Sequence, residues 1–224
     1  ASGLAPTSGP DYYHGVLGEA WTEAKPLPRA LCKQGSFAPI HGTRSHGSGS
    51  CRELADSYTL EKRDIGWGTY GNVTIARHNK SGVRRAVKSV TKTHPRPGAA
   101  QTTLYAQREA EILREIDHPN IIRLFEVFEN QSKLYLVLEL CEGGNILKSI
   151  DINEPMSEQS VVTIFSQILG AVLHLHSRRI IHRDLKLENF AFVHPKAQMR
   201  YLPPAAWTVK LLDFGLARRL DLGG

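Results

Sequence analysis

Gly66-Trp67-Gly68-Thr69-Tyr70-Gly71 sets three glycines in a GxGxxG spacing, and the residues behind them decide which fold can carry it. The same spacing serves dinucleotide-binding turns, where a helix opens at the last glycine. Here Asn72-Val73-Thr74-Ile75-Ala76-Arg77 alternates polar and apolar residues, which is a strand pattern. The glycines are therefore expected at the tip of a β-hairpin. No Gly-Lys-Ser/Thr follows, which excludes a P-loop as well. Without side chains at the tip, backbone N–H groups can close over phosphate oxygens. Nothing in the sequence explains the bulky Trp67.

The next segment, Val83 to Val90, reads as a strand with Ala86, Lys88 and Val90 on one face. A lysine between Ala and Val is costly to bury unless it meets an anion. Thr91 to Ala100 contains Pro95, Pro97 and Gly98 and reads as a loop. A helix is expected from about Gln101 to Ile116, with Tyr105, Ile112, Leu113 and Ile116 on its buried face. Glu109 shares that face, whereas Glu111 and Glu115 point away. A carboxylate on an apolar stripe needs a cation. Asp117-His118-Pro119-Asn120 ends the helix. Strands are expected over Ile121 to Phe128 and Lys133 to Leu138. Ser157 is placed to cap a long helix whose stripe is Val161, Ile164, Phe165, Ile168, Leu169, Val172 and Leu175.

Behind that helix lies Ile180-Ile181-His182-Arg183-Asp184-Leu185-Lys186-Leu187-Glu188-Asn189. Asp184 can take a proton from a hydroxyl, Lys186 can neutralise a phosphate, and Asn189 can offer a carbonyl oxygen to a hard cation. A short strand is expected over Phe190 to Val193, then an insertion from His194 to Trp207 with no assigned role. Another strand, Val209 to Leu212, leads to Asp213-Phe214-Gly215.

Taken in order, these motifs resemble a eukaryotic protein kinase of the serine/threonine type. The segments Glu-Leu-Cys-Glu-Gly-Gly, Ile116 to Ile121 and Lys-Leu-Glu-Asn-Phe are most similar to the calcium/calmodulin-dependent and calcium-dependent protein kinase group. The resemblance implies an α+β, two-lobed fold. An N-lobe over 54–139 would hold a five-stranded antiparallel sheet and the C-helix. A mainly α C-lobe over 140–224 would be truncated, because these residues stop shortly after Asp213-Phe214-Gly215. It implies ATP and Mg2+ as cofactors, with Lys88 gripping the α- and β-phosphates and Glu109 pairing with Lys88. Asp184 would be the base, assisted by Lys186, and Asn189 and Asp213 would hold the metal. Ile65, Gly66, Gly68, Gly71, Val73 and Ala86 would enclose the nucleotide, with Leu138 as gatekeeper. Backbone groups of Glu139 and Cys141 would read the adenine edge, and Ala191 would form a shallow floor beneath it. Asn145 stands where many relatives carry Glu. It could bond a ribose hydroxyl but could not pair with a basic substrate residue. Arg183 implies control through a phosphate on the activation segment. The implied partners are a protein substrate and a calcium-sensor domain or calmodulin outside this chain.

Composition narrows the alternatives. Of the 224 residues 41% are hydrophobic, enough for a core, and no run of about eighteen apolar residues suggests a membrane span. The net charge of +6 is scattered rather than blocked, which argues against nucleic-acid binding. Three cysteines without metal-like spacing fit a reducing, cytoplasmic setting. The chain begins with Ala1 and shows no charged-then-apolar leader, so no secretory signal is expected. Residues 1–53 are rich in Gly, Ser, Pro and His without apolar period and are expected to be a disordered tail, with the kinase domain over 54–224. The rival reading is a truncated or pseudokinase-type scaffold that binds nucleotide without transferring phosphate. The 224-residue fragment by itself is expected to be inactive, because the wide stripe of the long helix needs neighbours on more than one side.

Overall fold

Period-two alternation builds a five-stranded antiparallel sheet in the N-terminal part. A computed structural model describes residues 53–68, 71–92, 99–149 and 155–220; apart from Glu53, the tail expected over 1–53 lies outside them. The strands are β1 (Tyr58–Gly68), β2 (Gly71–His78), β3 (Arg84–Thr91), β4 (Leu124–Glu129) and β5 (Lys133–Leu138), ordered β1-β2-β3-β5-β4. Gly68 faces Gly71 across the first hairpin, as the alternation required. A side chain at Gly71 would collide with the backbone oxygen of Ser89 on β3, so only glycine lets these strands approach. A short helix, α1 (Leu54–Ser57), precedes β1 and was not expected. Glu53 and Asp56 cap each other's backbone N–H, and Leu54 joins Tyr58, Ala76, Val87, Phe128 and Val137 in a core cluster.

Helix α2 (Ala99–Glu115) packs on β3, β4 and β5. Ala106, Ala110, Ile112 and Leu113 are buried beside Glu109, while Glu111 and Glu115 face solvent. The strand expected from Ile121 starts only at Leu124. Ile121 leaves the sheet to bridge Leu211, Ile122 N donates to Leu211 O, and Leu211 N donates to Asn120 O. That remote pairing outweighs the local alternation.

The loop after α2 is pinned by two histidines. The His118 and His174 rings lie 4.7 Å apart. Asn120 N donates to His118 Nδ1 at 3.1 Å, and the Arg178 guanidinium donates to His174 Nδ1 at 3.3 Å. Both rings are thereby held neutral. Burial, then the proximity of the His174 ring and of the Lys210 and Arg178 charges, lowers His118 to about 4 against the pull of Asp117. Burial and Arg178 lower His174 as well. An unfolded histidine titrates near about 6.5, so the unfolded chain takes up the proton first as pH falls. Stability is complete above about pH 6.5 and is lost towards about pH 4. Between about pH 7 and about pH 4.5 the unaltered protein should lose about 1–2 kcal/mol more stability than His118→Gln, after allowance for solvent screening. Urea midpoints at the two pH values check this; equal losses in both proteins would contradict it.

The C-terminal part holds β6 (Gly144–Asn145), α3 (Ile146–Ser149), α4 (Glu158–Ser177), β7 (Ile180–Ile181), β8 (Phe190–Phe192), α5 (Lys196–Met199), β9 (Val209–Leu211) and β10 (Arg218–Arg219). Strands β6-β8-β9 form one small sheet and β10-β7 another. Ser157 caps α4 by accepting from Ser160 N at 3.2 Å. Ser160, Ile164, Ala171 and Leu175 of α4 are buried, and the helix packs on β7 and β9. Gln167 accepts from Asn120 Nδ2 and Val209 N and donates to Trp207 O, tying α4 to two segments. The expected stripe is covered on one side only. Among the described residues Val161, Phe165 and Leu169 are 43%, 56% and 58% exposed, the uncovered side that a stripe needing neighbours on more than one side leaves. By length and composition α4 is long and apolar enough to cross a membrane, although it contains no unbroken apolar run of about eighteen residues. Its polar ties through Ser160 and Gln167 are nevertheless those of a helix packed inside a domain.

The insertion over 194–207 is folded rather than open. Trp207 Nε1 donates to Met199 O and Leu202 O, both at 3.3 Å, and its ring stands edge-on to Phe192.

Candidate active site

Strand β3 aims Lys88 into the space beneath α2. The side chain is 4% exposed, and Glu109 is 1% exposed. Lys88 Nζ lies 2.6 Å from Glu109 Oε2 and 3.2 Å from Asp213 Oδ1. Burial pulls the Lys88 ammonium down, but the two carboxylates outweigh it and hold it above the usual lysine range. Burial pushes Glu109 the other way; the cation beside it and the backbone N–H of Phe214 oppose that. At 2.6 Å the ion pair is the state the geometry favours.

Asp213 reaches Lys88 through a backbone turn with φ of 50°, where Gly215 N also donates to Asp213 Oδ1. Phe214 is fully buried and packs edge-on against His182 at 4.8 Å. His182 Nε2 donates to Leu212 O at 3.0 Å, and burial keeps the ring neutral. His182 thereby joins the loop that bears Asp184 to the segment after β9 that bears Asp213.

Asp184 sits between two donors. Lys186 Nζ is 3.0 Å from its Oδ1, and Asn189 Nδ2 donates to both its Oδ2 and its backbone O at 2.8 Å. The bond from Lys186, with that from Asn189, holds the Asp184 carboxyl below the usual carboxylate range despite partial burial. Asn189 spends its amide nitrogen on Asp184, which leaves its oxygen as the end available to a cation. Asn189 and Asp213 therefore supply oxygen donors from two segments. No group of three or more His, Cys, Asp or Glu able to hold a metal occurs among the described residues. So small a set of hard oxygen ligands suits Mg2+ carried in by phosphates, rather than an all-protein metal cage.

Most of the remaining expected residues fall in two sheets. Register places Gly66 opposite Val73, Val73 opposite Lys88, Ala86 opposite Leu138 and Asn145 opposite Ala191. Ala86, Leu138 and Ala191 are buried, whereas Ile65 is 44% exposed. Glu139 N donates to Arg123 O at 2.9 Å, so of the Glu139 backbone only its carbonyl is left to meet a base. Burial, then Glu139, pushes the Cys141 thiol up to about 12, so it stays neutral and is no nucleophile. Asn145 Oδ1 accepts from Lys148 N at 2.8 Å and caps α3. One lone pair of that oxygen is thus engaged, and its second lone pair and the amide nitrogen remain for a ribose hydroxyl.

A family model described as the protein kinase domain matches residues 59–224. The chain belongs to the protein kinase family. It is 41% identical to calcium-dependent protein kinase 5 of Plasmodium falciparum (isolate 3D7) over 167 residues, 75% of this chain and 27% of that protein. To calcium-dependent protein kinase 5 of Plasmodium berghei (strain Anka) it is 37% identical over the same shares. To calcium-dependent protein kinase 3 of Plasmodium yoelii yoelii it is 35% identical, over 73% of this chain and 28% of that protein. The chain thus spans about a quarter of the length of the curated relatives it matches.

Two features of this kinase domain escaped sequence reasoning. Lys210, on β9, is buried with its Nζ 2.9 Å from Glu139 Oε2. Arg108, Glu111, Ile112 and Glu115 of α2 with Ala217, Arg218 and Arg219 line a cavity of about 310 Å³ between α2 and the segment around β10. Arg108 and Arg218 share that cavity, and local desolvation with the nearby positive charges of Arg108 and Arg183 lowers Arg218. No periodicity signals either group, because each partner comes from a distant segment.

Proposed function

We propose that this kinase domain transfers the γ-phosphoryl group of ATP to serine or threonine hydroxyls of protein substrates. The observation that carries the reading is Lys88 held between Glu109 and Asp213 while Asp184 is held by Lys186 and Asn189. Phosphoryl transfer needs both groupings, one for the phosphates and one for the acceptor. Lys88 and the glycine hairpin hold the ATP phosphates. Asn189 and Asp213 would hold Mg2+, which when bound neutralises phosphate charge. Asp184, ionised at neutral pH, orients the acceptor hydroxyl and takes its proton. Lys186, 2.8 Å from Asp184 Oδ2, adds positive charge where the phosphoryl group passes. The residue pattern around Lys186 supports serine/threonine rather than tyrosine as acceptor.

Regulation follows two lines. The names of the relatives support control by a calcium-sensor segment, or by calmodulin, outside these residues. The gathering of Arg108, Arg183 and Arg218 supports a phosphate on the activation segment as a second control. Asn145, which bears no charge, argues against a strict requirement for arginine in the substrate.

The test uses the full-length protein with γ-labelled ATP, Mg2+ and a mixed protein substrate, with and without calcium. Label on phosphoserine and phosphothreonine that disappears with a chelator is the expected outcome. ATP binding without transfer under either condition would instead favour the scaffold reading.

A further inference from the structure

Lys210 is a buried cation that phosphoryl transfer does not use. It is 9% exposed, and Lys88 is the other buried lysine among the described residues. An ion pair taken out of water is rarely retained for stability, since apolar residues of the same volume serve about as well. What such a pair does fix is geometry. Glu139 opens the linker between the five-stranded sheet and the C-terminal part, and this linker is held at both ends. At its start Glu139 Oε2 meets Lys210 and Glu139 N donates to Arg123 O. At its end Glu142 pairs with Arg84 of β3, which also pairs with Glu61 of β1. Gly143 N then donates to Phe192 O, where a side chain at Gly143 would collide with Phe192 and His194. Lys210 belongs to strand β9, which leads into Asp213. That strand is anchored through Leu211 N to Asn120 O and through Val209 N to Gln167.

We propose that Lys210 is a positioning residue for the nucleotide base. Through Glu139 it holds the linker backbone, whose Glu139 carbonyl and Cys141 N–H meet the base, and it ties that backbone to the strand leading into Asp213. The proposal rests on the ATP-dependent kinase reading. Base recognition is uniform binding, present equally in ground and transition states, so its loss raises KM and spares kcat.

The experiment uses the full-length protein and its variants Lys210→Met, Glu139→Gln and Lys210→Met/Glu139→Leu. Kinetics with Mg-ATP are compared with inhibition by Mg-tripolyphosphate, which carries the phosphates without the base. Each variant is expected to raise KM for ATP about tenfold with kcat within about twofold, and to leave tripolyphosphate inhibition unchanged. The single changes should not multiply in a Lys210→Met/Glu139→Gln protein, because the two groups act as one unit. The Lys210→Met/Glu139→Leu protein leaves no buried unpaired charge. It should fold even if a single variant does not, and should show the same base-dependent loss. An unchanged KM for ATP, or tripolyphosphate inhibition weakened as much as ATP binding, would overturn the positioning role and leave the kinase reading standing. Failure of the unaltered protein to bind or use Mg-ATP would overturn both.

Discussion

Asp213→Ala is expected to reduce phosphoryl transfer by about 10³-fold or more in the full-length protein, with little change in its unfolding midpoint. Its carboxylate is the group shared by the two halves of the site. It touches Lys88 at 3.2 Å and, in the proposed function, holds the metal. Removing it leaves Lys88 still paired with Glu109 at 2.6 Å, so no buried charge is stranded. Lys88→Met should abolish transfer as fully, but at a cost to the fold. It leaves Glu109, 1% exposed, without its cation, and breaking a buried pair in this way costs about 3–5 kcal/mol. Glu109→Gln should impair transfer, whereas Glu111→Gln on the solvent face should not. Single-turnover rates with thermal unfolding curves separate these cases. Near-normal transfer by Asp213→Ala would sink the site assignment, and a larger defect from Glu111→Gln than from Glu109→Gln would sink the assignment of faces on α2.

Asp184→Asn is expected to lower kcat by about 10²- to 10⁴-fold while changing ATP affinity by no more than about threefold. Among the described residues, the side-chain bonds of Asp184 run to Lys186 and Asn189, and none runs to Lys88. Both carboxylate oxygens act as acceptors, and an amide can replace only one of them. A small loss of Mg2+ affinity through Asn189 should therefore accompany the loss of the base. Calorimetry with Mg-ATP and rate measurements check the two effects separately. ATP binding lost in step with activity would mark Asp184 as a structural carboxylate.

Local periodicity explains which parts of this protein were legible in its sequence. The polar–apolar alternation after Gly71 distinguished a hairpin from a strand–helix turn, and β1 and β2 pair accordingly. The helical period put Glu109, not Glu111, on the buried face of α2, and Ser157 marked the start of α4. The spacing of Asp184, Lys186 and Asn189 is short enough for a single loop to hold all three, and their bonds to one another are local. The family resemblance added the pairing of Lys88 with Glu109, which no local pattern carries.

Where the partner lies far along the chain, only the tertiary structure decided. Ile121 alternates like a strand residue yet leaves the sheet, because Leu211 offers it a different backbone partner. Periodicity marked a wide apolar stripe on α4 but not which part of it β7 and β9 would cover, so Ile164 is buried and Phe165 exposed. The pairing of Lys210 with Glu139 leaves no local trace at all, since 71 residues of chain separate them. A sequence period fixes the direction of a side chain relative to its own backbone, whereas the identity of what it meets depends on how distant segments pack.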